Sequence, residues 1–332
     1  MKRVAIIGGG GWGTALAIVL ASRFAELRLW VFEPDLAERL RATRENDLYL
    51  PGSRLPEKVQ VVTDLAEALE GAEVVLSVVP SHVVRAVYTR MLPALEPSML
   101  FVSATKGLES GTLLRMSEVV QEVVGARFAP RVAALSGPTF AREVARGEPT
   151  AVVISSADAG LAATIQRAFS GPSFRLYTNQ DPIGVEVGAA LKNVIAIGAG
   201  VCHSLGLGSN VMAALITRGL AEISRLAVAM GGRPATLAGL AGLGDLVLTC
   251  TGELSRNRQV GVELGRGRKL AEILGTMRTV AEGIRTTDAA VELGRRYGID
   301  LPITQQMHAI LYQGRSPREA IRELMERELK GE

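Results

Sequence analysis

The chain opens with a strand that runs straight into glycines. Val4-Ala-Ile-Ile7 reads as a buried strand, Gly8, Gly10 and Gly13 follow as G-x-G-x-x-G, and a helix is predicted from about Trp12 to Ser22. This order turns the first N–H groups of the helix, and its positive dipole end, toward the turn, while the glycines let an anion approach the backbone closely. A second strand, Leu27 to Phe32, ends at Glu33, where folds of this kind bind the ribose hydroxyls. Glycines alone are a weak signal, but strand, glycines, helix, strand and acid in sequence point to a dinucleotide site. Glu33 favours NAD, because a carboxylate accepts the 2′-hydroxyl and repels a 2′-phosphate. Arg39, Arg41 and Arg44 follow closely and would offset that repulsion, so the expectation is a lean toward NAD with tolerance of NADP.

The alternation continues. Val59 to Val62, Glu73 to Val78, Met99 to Ser103, Val132 to Leu135, Thr150 to Ser155 and Phe174 to Tyr177 read as strands, with helices predicted near Leu65 to Leu69, Ser81 to Met91 and Asp158 to Ala168. Ser81 reads as a helix cap after Pro80. Lys106 follows one strand at the carboxyl edge of the sheet, within reach of a ligand or simply at the surface. Gly137, Pro138 and Thr139 follow the next strand and offer free backbone donors. After Asn179-Gln-Asp-Pro182 strand character stops, and helices are predicted over about Ile183 to Cys202, Val211 to Met230, Gln259 to Gly265, Glu282 to Tyr297 and Pro317 to Leu329. The expected fold is an α/β Rossmann-type N-terminal domain (residues 1–180) plus an all-α C-terminal domain (181–332), with a ligand cleft between them. The long apolar helix Val211 to Met230 is expected at the centre of the second domain or at a dimer contact.

One charge interrupts an apolar helix. Lys192 shares its face with Gly188, Ala189, Ile195 and Ala196, none a carboxylate. Either its stem lies along apolar surface with the head in water, or the small neighbours leave space for a ligand and desolvation brings the amine into the acid/base range. Farther on, Asp245 and Thr249 are spaced to share a helical face. Ser255 reads as an N-cap, and Arg256 beside that helix end suits a phosphate.

Composition narrows the function. Of 332 residues 48% are hydrophobic, enough for two cores, yet glycines, charges and prolines break every run before the roughly 20 residues that span a bilayer. A cytoplasmic protein is expected, because the N-terminus lacks a signal-peptide pattern. Cys202 and Cys250 have neither metal-ligand nor CxxC spacing, so no metal site is expected. A net charge of +3 with 4% aromatics argues against nucleic acid and suits a small phosphorylated substrate.

Six stretches in order, Gly8 to Ala15, Thr105 to Glu109, Leu135 to Ala141, Leu191-Lys-Asn193, Gly242 to Asp245 and Ser255 to Arg258, resemble the motifs of bacterial NAD(P)-dependent glycerol-3-phosphate dehydrogenase across essentially the whole chain. The resemblance implies reversible reduction of dihydroxyacetone phosphate to sn-glycerol 3-phosphate for phospholipid synthesis, by a homodimer. It implies Lys192 as general acid/base, and Lys106, Gly137, Thr139, Asp245, Ser255, Arg256 and Asn257 as substrate residues, with Asn193 and Thr249 at further polar positions. Gly11, Trp12, Phe32, Lys106, Ala141, Arg256, Val280 and Glu282 fall on cofactor positions. Gly11 stands where many members carry serine or asparagine, and the histidine or arginine often found near Phe32-Glu33 is absent. The rivals are a related hydroxy-acid dehydrogenase, which would lack the Ser255 to Arg258 stretch, and a dinucleotide-binding regulator, which would not need Lys106, Lys192 and Asp245 together.

Overall fold

The computed structural model describes residues 1–277, 281–329 and 331. Eight strands, β1 (Arg3–Ile7), β2 (Glu26–Trp30), β3 (Val59–Val62), β4 (Val74–Ser77), β5 (Leu100–Ser103), β6 (Arg131–Ser136), β7 (Thr150–Ser155) and β8 (Phe174–Asn179), form one sheet in the order β3-β2-β1-β4-β5-β6-β7-β8. All pairs are parallel except β6 with β7. Around it lie α1 (Gly11–Leu20), α2 (Pro34–Thr43), α3 (Leu65–Leu69), α4 (Val84–Met91), α5 (Met116–Gly125), α6 (Ala141–Ala145) and α7 (Ala159–Phe169). The period-2 alternation of the strands explains why the sheet is covered on both faces. Val4 and Ile6 enter one core with Leu16 and Leu36, while Ala5 and Ile7 enter another with Val84 and Val119. The strand order reverses between β1 and β4, so the crevice at their carboxyl ends is where such sheets take a ligand.

After β8 every regular element among the described residues is helical: α8 (Pro182–Ser204), α9 (Ser209–Ala229), α10 (Pro234–Leu237), a π-helical turn (Leu240–Gly244), α11 (Asp245–Thr251), α12 (Arg256–Gly265), α13 (Leu270–Thr276), α14 (Glu282–Tyr297), α15 (Pro302–Tyr312) and α16 (Pro317–Met325). Asp181 starts α8, its carboxylate accepting from the Gly184 amide at 2.9 Å with Pro182 in the first turn. The centre of this half is α8, buried from Gly184 to Cys202. Its glycines let a neighbour come close. A Cβ on Gly200 would lie 1.9 Å from the Arg258 carbonyl oxygen, and one on Gly261 of α12 would lie 1.9 Å from that of Ile197.

Several expectations change here. α8 does reach bilayer-spanning length and hydropathy, contrary to the reading that no apolar run does, but its apolar window is 100% buried inside the protein, as a core helix should be. α9, expected as a possible central helix, buries only one face and leaves Val211 and Val228 exposed. Helices α2, α5, α10, α13 and α15 emerge where no helix was expected. α2 is a mostly polar surface helix with a proline in its first turn, and α15 starts on a buried acceptor supplied by α9. Glu222 of α9 takes the free Ile303 and Thr304 amides at 2.6 and 3.2 Å.

Candidate active site

Three elements bring three charges together. Lys192 projects from the middle of α8, Asp245 from the first residue of α11, and Lys106 from the loop after β5. The Lys192 Nζ donates to Asp245 Oδ1 at 2.5 Å and to Thr249 Oγ1 at 2.7 Å, and the Lys106 Nζ donates to Asp245 Oδ2 at 2.7 Å. Asp245 is fully buried between the two ammonium groups. The four-residue spacing of Asp245 and Thr249 puts both on the face toward Lys192, and the Thr249 hydroxyl donates back to the Asp245 carbonyl at 2.6 Å. Lys106 also donates to the Gly137 carbonyl at 3.0 Å and lies 3.4 Å from Thr139 Oγ1, so the turn after β6 completes the site.

These surroundings pull the Lys192 ammonium down to about 7, chiefly because burial removes its hydration; Asp245 opposes the shift and Lys106 adds to it. A lysine so placed exchanges its proton near neutral pH. The partner that the face of α8 lacks is thus Asp245, distant in sequence. The space beside Gly188 is not left for a ligand, as the small neighbours had implied: a Cβ there would meet the Ala241 carbonyl oxygen and Leu237 at 3.1 Å. The small residues let the π-helical turn and α11 pack close enough to deliver Asp245.

A second chain of hydrogen bonds supports this group. Asn257 Nδ2 donates to Asn193 Oδ1 at 2.9 Å, and Asn257 Oδ1 accepts from the Gly283 amide at 2.9 Å, tying α8, α12 and the start of α14 together. The amide of Asn257 is therefore committed to the scaffold. Beside Gly283, Glu282 reaches the sheet half: its carboxylate accepts from the Ser81 amide at 3.1 Å and the Ser81 hydroxyl at 2.6 Å. Ser81 is not the helix cap expected: it lies in a 3-10 turn, and α4 begins only after Val83. Ser255 does cap α12, accepting from the Arg258 amide at 3.2 Å. Arg256, in the first turn of α12, is exposed and makes no hydrogen bond or ion pair among the described residues, leaving its guanidinium open to an anion.

The dinucleotide residues line the other side. α1 starts at the glycine turn with no side-chain cap, so its leading N–H groups face outward. A Cβ on Gly13 would lie 1.9 Å from the Gly8 carbonyl oxygen, whereas one on Gly10 would meet nothing within 4 Å, so the turn is tight inside and open outside, as a pyrophosphate requires. Trp12 packs partly buried beside the turn, Ala141 opens α6, and Phe32 is 67% exposed just beyond β2, with Glu33 next to it. Val280 lies outside the described residues.

Lys106, Gly137, Thr139, Lys192, Asp245 and Thr249 thus form one network, and Asn193, Asn257 and Glu282 adjoin it through the start of α14. Gly8, Gly10, Gly11, Gly13, Phe32 and Glu33 gather at the ends of β1 and β2. Sequence reasoning missed the clamp at Arg115, whose Nη1 donates to the buried Glu186 at 2.6 Å, and the contacts of Asn46 and Tyr49 with the glycine turn. Those partners lie far apart in sequence or in irregular chain, where no periodicity marks them.

A doubly wound sheet with an open glycine turn at its switch point, together with a buried lysine that titrates near neutrality, defines a dinucleotide-dependent dehydrogenase. The family follows from comparison with known proteins. Residues 3–162 match the model of the NAD-dependent glycerol-3-phosphate dehydrogenase N-terminus, and residues 181–322 match that of its C-terminus. The glycerol-3-phosphate dehydrogenase [NAD(P)+] of Koribacter versatilis is 61% identical over 98% of this chain and 98% of its own, and that of Citrifermentans bemidjiense is 54% identical over 100% and 99%. The crystal structure of glycerol-3-phosphate dehydrogenase from Coxiella burnetii superposes with a TM-score of 0.94 at 42% identity, covering 98% of this chain and 99% of that one. The chain belongs to the glycerol-3-phosphate dehydrogenase family of NAD(P)-dependent oxidoreductases.

Proposed function

We propose that this protein interconverts dihydroxyacetone phosphate and sn-glycerol 3-phosphate, with NAD preferred over NADP, as a cytoplasmic homodimer that supplies phospholipid synthesis. In this reading residues 1–180 hold the dinucleotide and residues 181–332 hold the substrate and the dimer contact. The observation that carries it is the buried Lys192, brought to about 7 beside an Asp245 that also holds Lys106. When bound, the nicotinamide supplies a hydride for the C2 carbonyl carbon. Lys192, as ammonium, stabilises the negative charge on the carbonyl oxygen and delivers the proton; as neutral amine it takes the proton back in the oxidative direction. Asp245 holds Lys192 and Lys106 at one point and offsets one of their two charges. Arg256 grips the phosphate, helped by the free amides at the start of α12, while Ser255 and Asn257 keep that helix end in place.

Gly8, Gly10, Gly11, Trp12 and Gly13 would seat the pyrophosphate, Phe32 and Glu33 the adenosine, and Lys106, Ala141, Arg256 and Glu282 the nicotinamide side; Val280 is assigned there by resemblance alone. The exposed Val211 and Val228 on α9 favour a partner copy on that helix, and the free buried Cys202 and Cys250 suit a reducing compartment. The test follows reduced-nicotinamide absorbance with dihydroxyacetone phosphate as the oxidant. Absence of turnover with both NADH and NADPH would sink the reading, and turnover of a 2-oxo acid instead would favour the hydroxy-acid rival.

A further inference from the structure

We propose that Tyr49 determines the nucleotide specificity of this enzyme by holding the Glu33 carboxylate at the ribose position, an inference that rests on the dinucleotide reading above. Asn46, fully buried, donates from Nδ2 to the Gly9 carbonyl and to Thr14 Oγ1, each at 2.8 Å, and its Oδ1 accepts from the Tyr49 amide at 2.9 Å. Tyr49 is thereby hung from the glycine turn itself. Its carbonyl oxygen would lie only 2.7 Å from a Cβ on Gly11, so a larger residue there would have to push the Tyr49 backbone aside. From this fixed backbone the Tyr49 hydroxyl donates to Glu33 Oε1 at 2.8 Å. Burial, with the carboxylate beside it, pushes the phenol up to about 12, so it remains a donor throughout the working range.

Glu33 occupies the N-cap position of α2 yet does not cap its own helix. Its carboxylate is held by Tyr49 instead, and Oε2 makes no hydrogen bond among the described residues, leaving an acceptor for a ribose 2′-hydroxyl. A 2′-phosphate, with roughly two negative charges, would meet this carboxylate and need a nearby cation. The three arginines that follow in sequence are otherwise engaged. Arg39 is paired with Asp47 at 3.0 Å, Arg41 donates to the Val61 carbonyl at 2.9 Å, and Arg44 donates to the carbonyls of Val59, at 2.8 Å, and Pro56. Arg39 is thus neutralised by Asp47, and Arg41 and Arg44, though still charged, are tethered to backbone carbonyls of β3 and the loop before it, which leaves discrimination to the Glu33 carboxylate that Tyr49 holds.

The test measures dissociation constants for NADH and NADPH by quenching of tryptophan emission, alongside KM for each. The native enzyme should bind NADH at least about tenfold more tightly than NADPH, as a hydrogen bond gained and a like-charge contact avoided together imply. Tyr49→Phe should narrow that ratio to about threefold or less, weakening NADH and tightening NADPH, and should have no effect on the ratio in a Glu33→Ala background, because Tyr49 acts through that carboxylate. Should Tyr49→Phe not fold, Glu33→Asp serves: it keeps the charge but is one methylene too short for Tyr49, and should narrow the ratio likewise. An unchanged ratio in the variant that folds, an equal effect with and without Glu33, or NADPH bound as tightly as NADH by the native enzyme would overturn the proposal. Failure to bind either nucleotide would instead overturn the dinucleotide reading.

Discussion

Glu186 and Asp245 both sit on the helical half of the chain, both are withdrawn from water, and both reach a cation on the sheet half. Glu186, 6% exposed, accepts from Arg115 Nη1 at 2.6 Å, from the Ser117 hydroxyl at 2.5 Å and from the Ser117 amide at 2.8 Å, pinning the start of α5 against α8. Asp245, 0% exposed, meets Lys106 and then a second lysine on its own half. The difference lies in the cations. A guanidinium keeps its proton at every working pH and its flat fork matches a carboxylate, whereas a desolvated ammonium gives its proton up. One cluster is a clamp, the other holds the lysine proposed to carry the proton, and the choice of arginine or lysine separates them.

Four experiments can break or sharpen that contrast. The largest effect is expected for Glu186→Ala, which removes the buried partner of Arg115 and leaves it only the half-exposed Glu118 at 2.8 Å, and should destabilise the fold by about 3 kcal/mol in chemical denaturation, the low end for a broken buried pair; a loss below about 1 kcal/mol, the scale of a surface pair, would mean the clamp is not one. Next comes Lys192→Ala, expected to lower kcat by about 10²-fold or more while leaving the NADH dissociation constant nearly unchanged. Near-normal turnover would remove Lys192 from that role. Arg256→Ala should raise KM for the phosphorylated substrate by about tenfold, the loss of one charge-assisted contact, with a smaller effect on kcat; an unaltered KM would move the phosphate elsewhere.

The smallest effect is a shift along the pH axis. Lys192 must carry its proton to reduce a carbonyl, so kcat/KM for reduction should fall as pH rises through about 7, while that for oxidation rises over the same range. Asp245 favours the ammonium, so Asp245→Asn should move both inflections to lower pH. Inflections that stay put would show that Asp245 does not set the proton affinity of Lys192.

The order of strands and helices was legible because it is written in short-range periodicity. All eight strands were expected close to where they stand, and Ser255 announced its helix start, whereas Asp181 and Pro182, read as part of a turn, prove to begin α8. α2 carries too few apolar residues for its period to show, and α15 depends on a carboxylate from another helix, so neither had a local signal. Of the site, the residue types were legible and the partnerships were not. Lys192 stood out as a charge among apolar residues, but nothing in α8 indicated whether its head faced water, an empty space or Asp245. The three arginines after Glu33 likewise looked available to a phosphate until their partners were placed.

The sequence by itself determined a βα unit with a glycine turn, a switch from alternating strands and helices to helix alone after Asn179, and a lysine at odds with its surroundings. Each is a property of neighbouring residues, where backbone sterics and side-chain period decide. Only the tertiary structure decided that Asp245 lies between Lys106 and Lys192, that Glu186 locks Arg115, and that Tyr49 holds Glu33. The first follows from helices packing close at small residues and the others from chain far apart in sequence, and the desolvation that brings Lys192 into the working range exists only once every element around it is in place.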